Sequence, residues 1–177
     1  DEAMRRLNPA FAIAFALAAC GPDLGKHQFQ DARRASQLPS HIKHSRKDLG
    51  YVVLRFRTER NLNSAELNAL YAQASACPFD EAASLPAFGP FTDDSARRTL
   101  PADERTDAHT SYLVYLPIEG EIYGELENGR TPEIGRFDLR TGNWDLCVRV
   151  EHTGFPMATR TKPIRIPRSA ISAAISP

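Results

Sequence analysis

Phe137-Asp138-Leu139-Arg140-Thr141-Gly142-Asn143-Trp144-Asp145-Leu146-Cys147-Val148-Arg149-Val150 decides the fold class of this chain. After the turn-forming residues Thr141-Gly142-Asn143, Trp144, Leu146, Val148 and Val150 alternate with Asp145, Cys147, Arg149 and Glu151. Successive side chains of an extended strand point to opposite faces, so this alternation predicts a strand with one apolar and one polar face. Working outward, the same pattern recurs. Val52, Leu54 and Phe56 alternate within Tyr51 to Thr58; Tyr112, Val114 and Leu116 alternate before Pro117; Ile122 to Glu127 precedes the hairpin dipeptide Asn128-Gly129. Arg136 to Arg140 is short and β-compatible, and Ile164 and Ile166 share a face before Pro167. Thirteen prolines and ten glycines punctuate the chain, and the long apolar period of a helical bundle is missing. The fold class is therefore mainly β, with antiparallel strands in a meander or Greek key.

The N-terminal end carries a different signal. Met4-Arg5-Arg6 is followed by the apolar run Leu7 to Ala19, which closes on Leu17-Ala18-Ala19-Cys20. A charged start, an apolar middle and small residues at the end form the order of a secretory signal. Ending on Leu-Ala-Ala-Cys, the segment resembles the lipobox of bacterial lipoproteins, in which the chain is cut before the cysteine and that cysteine is lipidated. The resemblance implies a lipid on Cys20 and removal of residues 1–19, with Asp1, Glu2 and Ala3 set aside as preceding the methionine. With Gly21 rather than an aspartate next, it also implies the periplasmic face of the outer membrane. The alternative is a buried core helix, because the run is too short to span a bilayer.

Four regions follow. Residues 20–48 are polar and read as a lipid-anchored flexible tether, whose Lys43, Arg46 and Lys47 suit either a solvated linker or an anionic membrane surface. Residues 49–168 read as the β-sandwich domain, with a helix and loop insertion at 63–110, and 169–177 as a C-terminal tail. Within the insertion, Asn63 and Glu66 make a helix start, and Leu67, Leu70, Tyr71 and Ala74 recur at helical spacing up to Cys77-Pro78. The connection Phe79 to Thr110 is long for a compact domain. Its Phe79, Phe88 and Phe91 give apolar anchors beside the charges of Asp93, Asp94, Arg97 and Arg98, which suits a partner surface. Equally, Phe79, Phe88 and Phe91 suit a cover for the sheet.

With Cys20 assigned to lipid, Cys77 and Cys147 remain in an oxidising compartment, where a disulfide is the default and two buried thiols the alternative. Cys147 lies opposite the Leu146/Val148 face. A bond to Cys77 would therefore pin the expected helix against the outer face of this strand, as a clamp on the insertion.

The stretch from Phe137 to Val150 resembles the closing hairpin of immunoglobulin-like β-sandwich domains, in its "Leu-x-x-Gly-x-aromatic-x-Leu-x-Val-x-Val" outline. With the early strand at Tyr51 and the late one at Ile164, the chain is similar to small immunoglobulin-like domains of bacterial envelope lipoproteins. The fold implied is an immunoglobulin-like antiparallel β-sandwich with one short inserted helix. In antibody-type domains an aromatic residue precedes the second cysteine by two positions. Here Trp144 stands three before Cys147, so the disulfide of that family is not carried over.

Chemistry-bearing motifs are missing. The histidines at 27, 41, 44, 109 and 152 fall in no H-E-x-x-H, no Gly-x-Ser-x-Gly elbow occurs, and no glycine-rich phosphate loop follows a strand. His41 and His44 are three apart, but no carboxylate or thiol accompanies them to complete a metal site. Asp107, His109 and Ser111 are too close in an extended segment to converge. The net charge of zero argues against nucleic acid. The expectation is thus a non-catalytic module without cofactor, metal or small-molecule substrate, anchored to the membrane by lipid and binding a protein of the envelope. Small immunoglobulin-like lipoproteins resemble immunity proteins that occlude toxin effectors delivered by competing bacteria. The alternative is a structural or assembly lipoprotein of an envelope or secretion complex.

Overall fold

The computed structural model describes residues 22–38, 50–60, 62, 70–91, 110–124, 132–154 and 158–176. The signal segment, Cys20 and the basic end of the expected tether lie outside them. Ten strands are described: β1 (His27–Ala35), β2 (Tyr51–Thr58), β3 (Leu70–Ala76), β4 (Phe88–Phe91), β5 (Thr110–Pro117), β6 (Glu119–Tyr123), β7 (Glu133–Asp138), β8 (Leu146–His152), β9 (Thr159–Arg160) and β10 (Ile164–Ile166), followed by helix α1 (Arg168–Ile175). No described helix is long and apolar enough to cross a membrane.

One sheet runs β1-β2-β5-β4 and a second β10-β8-β3, with β9 also on β8, and all the pairings are antiparallel. That is the constant-type immunoglobulin order, four strands facing three. An additional hairpin, β6-β7, stands between β5 and β8. The alternation seen in the sequence builds the space between the sheets. Val52, Leu54 and Phe56 of β2 and Tyr112, Val114 and Leu116 of β5 meet Leu146, Val148 and Val150 of β8 in one core. Each such side chain contributes roughly 1.5–3 kcal/mol of burial. A smaller cluster, Tyr51, Val53, Phe91, Leu113 and Tyr115, lies on the outer face of the first sheet.

Four expectations need correction. Residues 70–76 are strand, not helix: Leu70, Ala72 and Ala74 are buried while Tyr71 and Gln73 are partly exposed. Leu, Ala and Gln favour helix intrinsically, but a seven-residue ladder to β8 overrides that preference. The expected tether contains β1, an eight-pair partner of β2. The expected tail contains α1, whose Ile171 is buried in the core. Finally, β7 and β8 are not hairpin partners. β7 pairs with β6 and β8 with β3, β9 and β10.

Tertiary contacts hold α1 in place, because Pro167 at its start has no side-chain cap to offer. Asp145 supplies one instead, accepting the Arg168 N–H at 2.7 Å, and the Arg168 guanidinium donates to the carbonyls of Leu139 and Arg140 at 2.5 and 2.9 Å. The hydrogen bond from Arg168, with Arg165 beside it, holds the Asp145 carboxyl below its usual range.

At the other end of the sandwich His27 joins β1 to β5 across β2. Its Nε2–H donates to the Leu24 carbonyl at 2.7 Å, so Nδ1 accepts the Tyr112 hydroxyl at 2.7 Å. Tyr112 stacks in turn on Phe56, with ring centroids 5.2 Å apart. Burial lowers the His27 pKa, only partly offset by the Leu24 carbonyl and Asp23. The lowered value makes neutral His27 a source of stability that is fully present above about pH 6.5, the unfolded value. As pH falls below that, the unfolded chain takes up a proton that folded His27 refuses, and stability declines. We expect His27→Gln to flatten the fall in melting temperature as pH drops below about 6.5; parallel curves would remove His27 as the cause.

Cys77 and Cys147 are joined, with Cα atoms 5.2 Å apart. The bond ties the end of β3 to β8 within one sheet, so what it clamps is the chain leaving β3 rather than a helix. Closing a loop of 70 residues stabilises by roughly 2–4 kcal/mol. The double variant Cys77→Ala/Cys147→Ala should lose about that much in urea unfolding, and two free thiols in the unreduced wild type would contradict the bond.

Candidate functional site

On the outer face of β8, Arg149 and Glu151 are nearly buried, their side chains 8% and 4% exposed. Charges in such a position need partners, and the neighbouring strands and the segment after the disulfide supply them. Arg149 Nε donates to Gln73 of β3 at 2.8 Å and Nη1 to Glu81 at 2.7 Å, while Nη2 reaches Glu151 at 3.5 Å. The Phe79 ring lies 4.4 Å from the guanidinium carbon, a cation–π contact on a desolvated charge. Arg160 of β9 completes the circuit, 2.8 Å from Glu81 and 3.1 Å from Glu151. Burial, with the hydrogen bond to Glu151, pushes Tyr71 up to about 12, and the Arg149 hydrogen bond holds Glu81 below its usual range.

This network positions the chain around it. By holding Phe79 and Glu81 against β8, it fixes the path of the segment between β3 and β4. Leu85 N–H then donates to the Ala74 carbonyl of β3, and Ser84 exchanges two backbone hydrogen bonds with Tyr123 of β6. The hairpin β6-β7 is thereby attached to the edge of β3.

Between that hairpin, the end of β3 and the Thr141–Trp144 turn lies a groove of about 630 Å³. Leu85, Ile122, Phe137 and Trp144 give it apolar lining, while Phe79, Asp80, Arg136 and Asp138 bring an aromatic ring and charge. The sequence pattern made Trp144 a core residue. It is half-buried, packing on the core by one side and bordering the groove by another. Gly142 permits that pose, since a Cβ there would fall 2.9 Å from the indole ring. Asp138 is fully engaged by Arg140, through Nε at 2.9 Å and Nη2 at 2.9 Å, with Glu119 on the same guanidinium.

The residues singled out from sequence fare differently. Cys77 and Cys147 meet as a disulfide beside the groove. Phe88 and Phe91 are on β4 and pack on the outer cluster with Tyr115, so they cover the first sheet. Asp93, Asp94, Arg97, Arg98 and Cys20 lie outside the described residues, as do His41, His44 and His109. Among the described residues no three His, Cys, Asp or Glu side chains are grouped to hold a metal ion. Of the three phenylalanines read as apolar anchors, Phe79 borders the groove; sequence reasoning missed Asp80, Ile122 and Arg136, because nothing in their spacing says that an inserted hairpin meets the end of β3.

No protein-family model, curated protein or solved structure matches the chain. The strand order alone carries the immunoglobulin-like assignment.

Arg149→Leu should cost about 3 kcal/mol in urea unfolding, because it leaves Glu151 buried with less compensation, whereas Arg149→Leu/Glu151→Leu should recover much of that loss. Additive losses would show that the two charges are not coupled.

Proposed function

We propose that this chain is a non-catalytic, lipid-anchored binding module of the bacterial envelope, and that its partner is a protein. The observation that carries this is the groove: apolar and aromatic at its centre, charged at its rim, and held by a disulfide and an ion network. Protein interfaces have that anatomy, with buried aromatic anchors and a polar surround. A lipid on Cys20 would hold the domain at the periplasmic face of the outer membrane, where incoming proteins pass. Within that class the best reading is an immunity protein that captures a toxin effector from a competing bacterium and occludes it.

A second reading rests on β7. Among the described residues this strand pairs only with β6, and its Ile134, 54% exposed, is the one exposed large hydrophobic side chain. An open edge with an exposed apolar residue is a template for strand addition, which favours a subunit of an envelope or secretion assembly.

The two readings separate in a competition experiment. Cells lacking the chain should lose survival only against a neighbour that delivers the matching effector, and Ala83→Arg, which fills the groove, should fail to restore it. Unchanged survival, with an envelope assembly lost instead, would overturn the immunity reading.

A further inference from the structure

Residues 22–26 are fixed to the domain one after another. The Pro22 carbonyl accepts the Thr159 hydroxyl at 2.9 Å, and the Asp23 carbonyl accepts the Arg60 Nε–H at 2.9 Å. Leu24 is buried in the core, and its carbonyl accepts the His27 Nε2–H. Gly25 turns the chain at a φ of 72°, its N–H donating to Asp23 Oδ1, and the Lys26 carbonyl accepts the Glu59 N–H at 3.3 Å. In the sequence only Gly21 separates this clamped segment from Cys20. Two peptide units span at most about 7.6 Å from Cα to Cα, so a lipid on Cys20 would be joined almost directly to the folded domain.

Resting on the lipid anchor proposed above and deepening it, we propose that the end of the sandwich formed by residues 22–26, Glu59 and Arg60 is a docking surface for the headgroups of an anionic bilayer, with the groove turned away from it. A long tether would let the domain tumble clear of the membrane, whereas a link of two peptide units holds this end against it. Charge favours the same orientation. Lys26, Arg57 and Arg60 outnumber Asp23 and Glu59 here, and the Asp23 carboxylate is already engaged by the Gly25 N–H. On β6, β7 and the turn that follows, the balance is reversed: Glu119, Glu121, Glu133 and Asp138 outnumber Arg136 and Arg140. An anionic surface attracts the first set and repels the second. Distance separates the groove from the bilayer as well. Thr159, which holds Pro22, pairs with His152, and from there the seven residues of β8 run back about 20 Å toward Trp144 and the groove.

Trp144 is the only tryptophan in the chain, so the wild type carries a single indole, at the groove. Lys26 and Glu59 are exposed, and Lys26→Trp/Trp144→Phe and Glu59→Trp/Trp144→Phe each move that indole to the docking end. Protein extracted from the envelope is reconstituted into vesicles of phosphatidylethanolamine and phosphatidylglycerol, with and without a phospholipid whose headgroup carries a nitroxide, which quenches only indoles close to it. Both docking-end variants should lose emission in the nitroxide vesicles, and wild-type Trp144 should keep it. Intact mass reads the anchor separately, as an acylated Cys20. Acylated protein in which neither docking-end indole is quenched, or in which Trp144 is quenched as strongly as they are, would overturn the docking and leave the anchor standing. An unacylated Cys20 in the envelope protein would remove the anchor and the docking with it.

Discussion

All seven residues of β8 are buried, and the rest of the domain is arranged to make that tolerable. Its inner side chains, Leu146, Val148 and Val150, need only apolar neighbours, which the opposite sheet provides. Its outer side chains include Arg149 and Glu151, and removing charges from water costs several kcal/mol each unless they are paired. Gln73, Glu81, Phe79 and Arg160 do the pairing, and they come from three different parts of the chain. A strand buried on both faces thus forces the segment after β3 to lie across it.

That demand links the ion network to the groove. Once Cys77 is bonded to Cys147 and Glu81 to Arg149, the chain from Pro78 to Leu85 has little freedom, and Ser84 meets Tyr123. Leu85 then bonds to Ala74 on the edge of β3, and Ser84 carries the hairpin β6-β7 beside it, covering part of an edge, an exposure that sandwich proteins have to manage. Attachment is through few hydrogen bonds, so the hairpin and the sheet end do not close on one another completely. The groove is what remains. Its position at the β3 end and the Thr141–Trp144 turn is the opposite end of the sandwich from His27, Leu70 and His152.

Much of the sandwich was legible because its strands follow the simplest of patterns. Tyr51–Thr58, the alternating Tyr112, Val114 and Leu116, and Leu146 to Val150 each show a period of two, and each is a strand with the expected inward set. β3 was misread because Leu67, Leu70, Tyr71 and Ala74 satisfy a helical period by chance, and alanines carry little strand signal of their own. β1 was missed because His27–Ala35 is largely polar and none of its residues is fully buried; it is an edge strand paired with β2. The function of α1 was hidden in a different way. Its one fully buried residue, Ile171, and its cap, Asp145, are far apart in sequence.

By itself the sequence determined the β class, the inward faces of β2, β5 and β8, the placement of Cys147 on the outer face of its strand, and Trp144 as a residue that packs on the core. These are properties of local periodicity, which every strand carries in its own residues. Only the tertiary structure decided that β3 is a strand, that the disulfide clamps the chain leaving it, that Arg149 gathers partners from Gln73, Glu81 and Glu151, and that Leu85, Ile122 and Trp144 border one groove. Each of those depends on contacts between distant residues, whose free energy exists only after the two sheets have met.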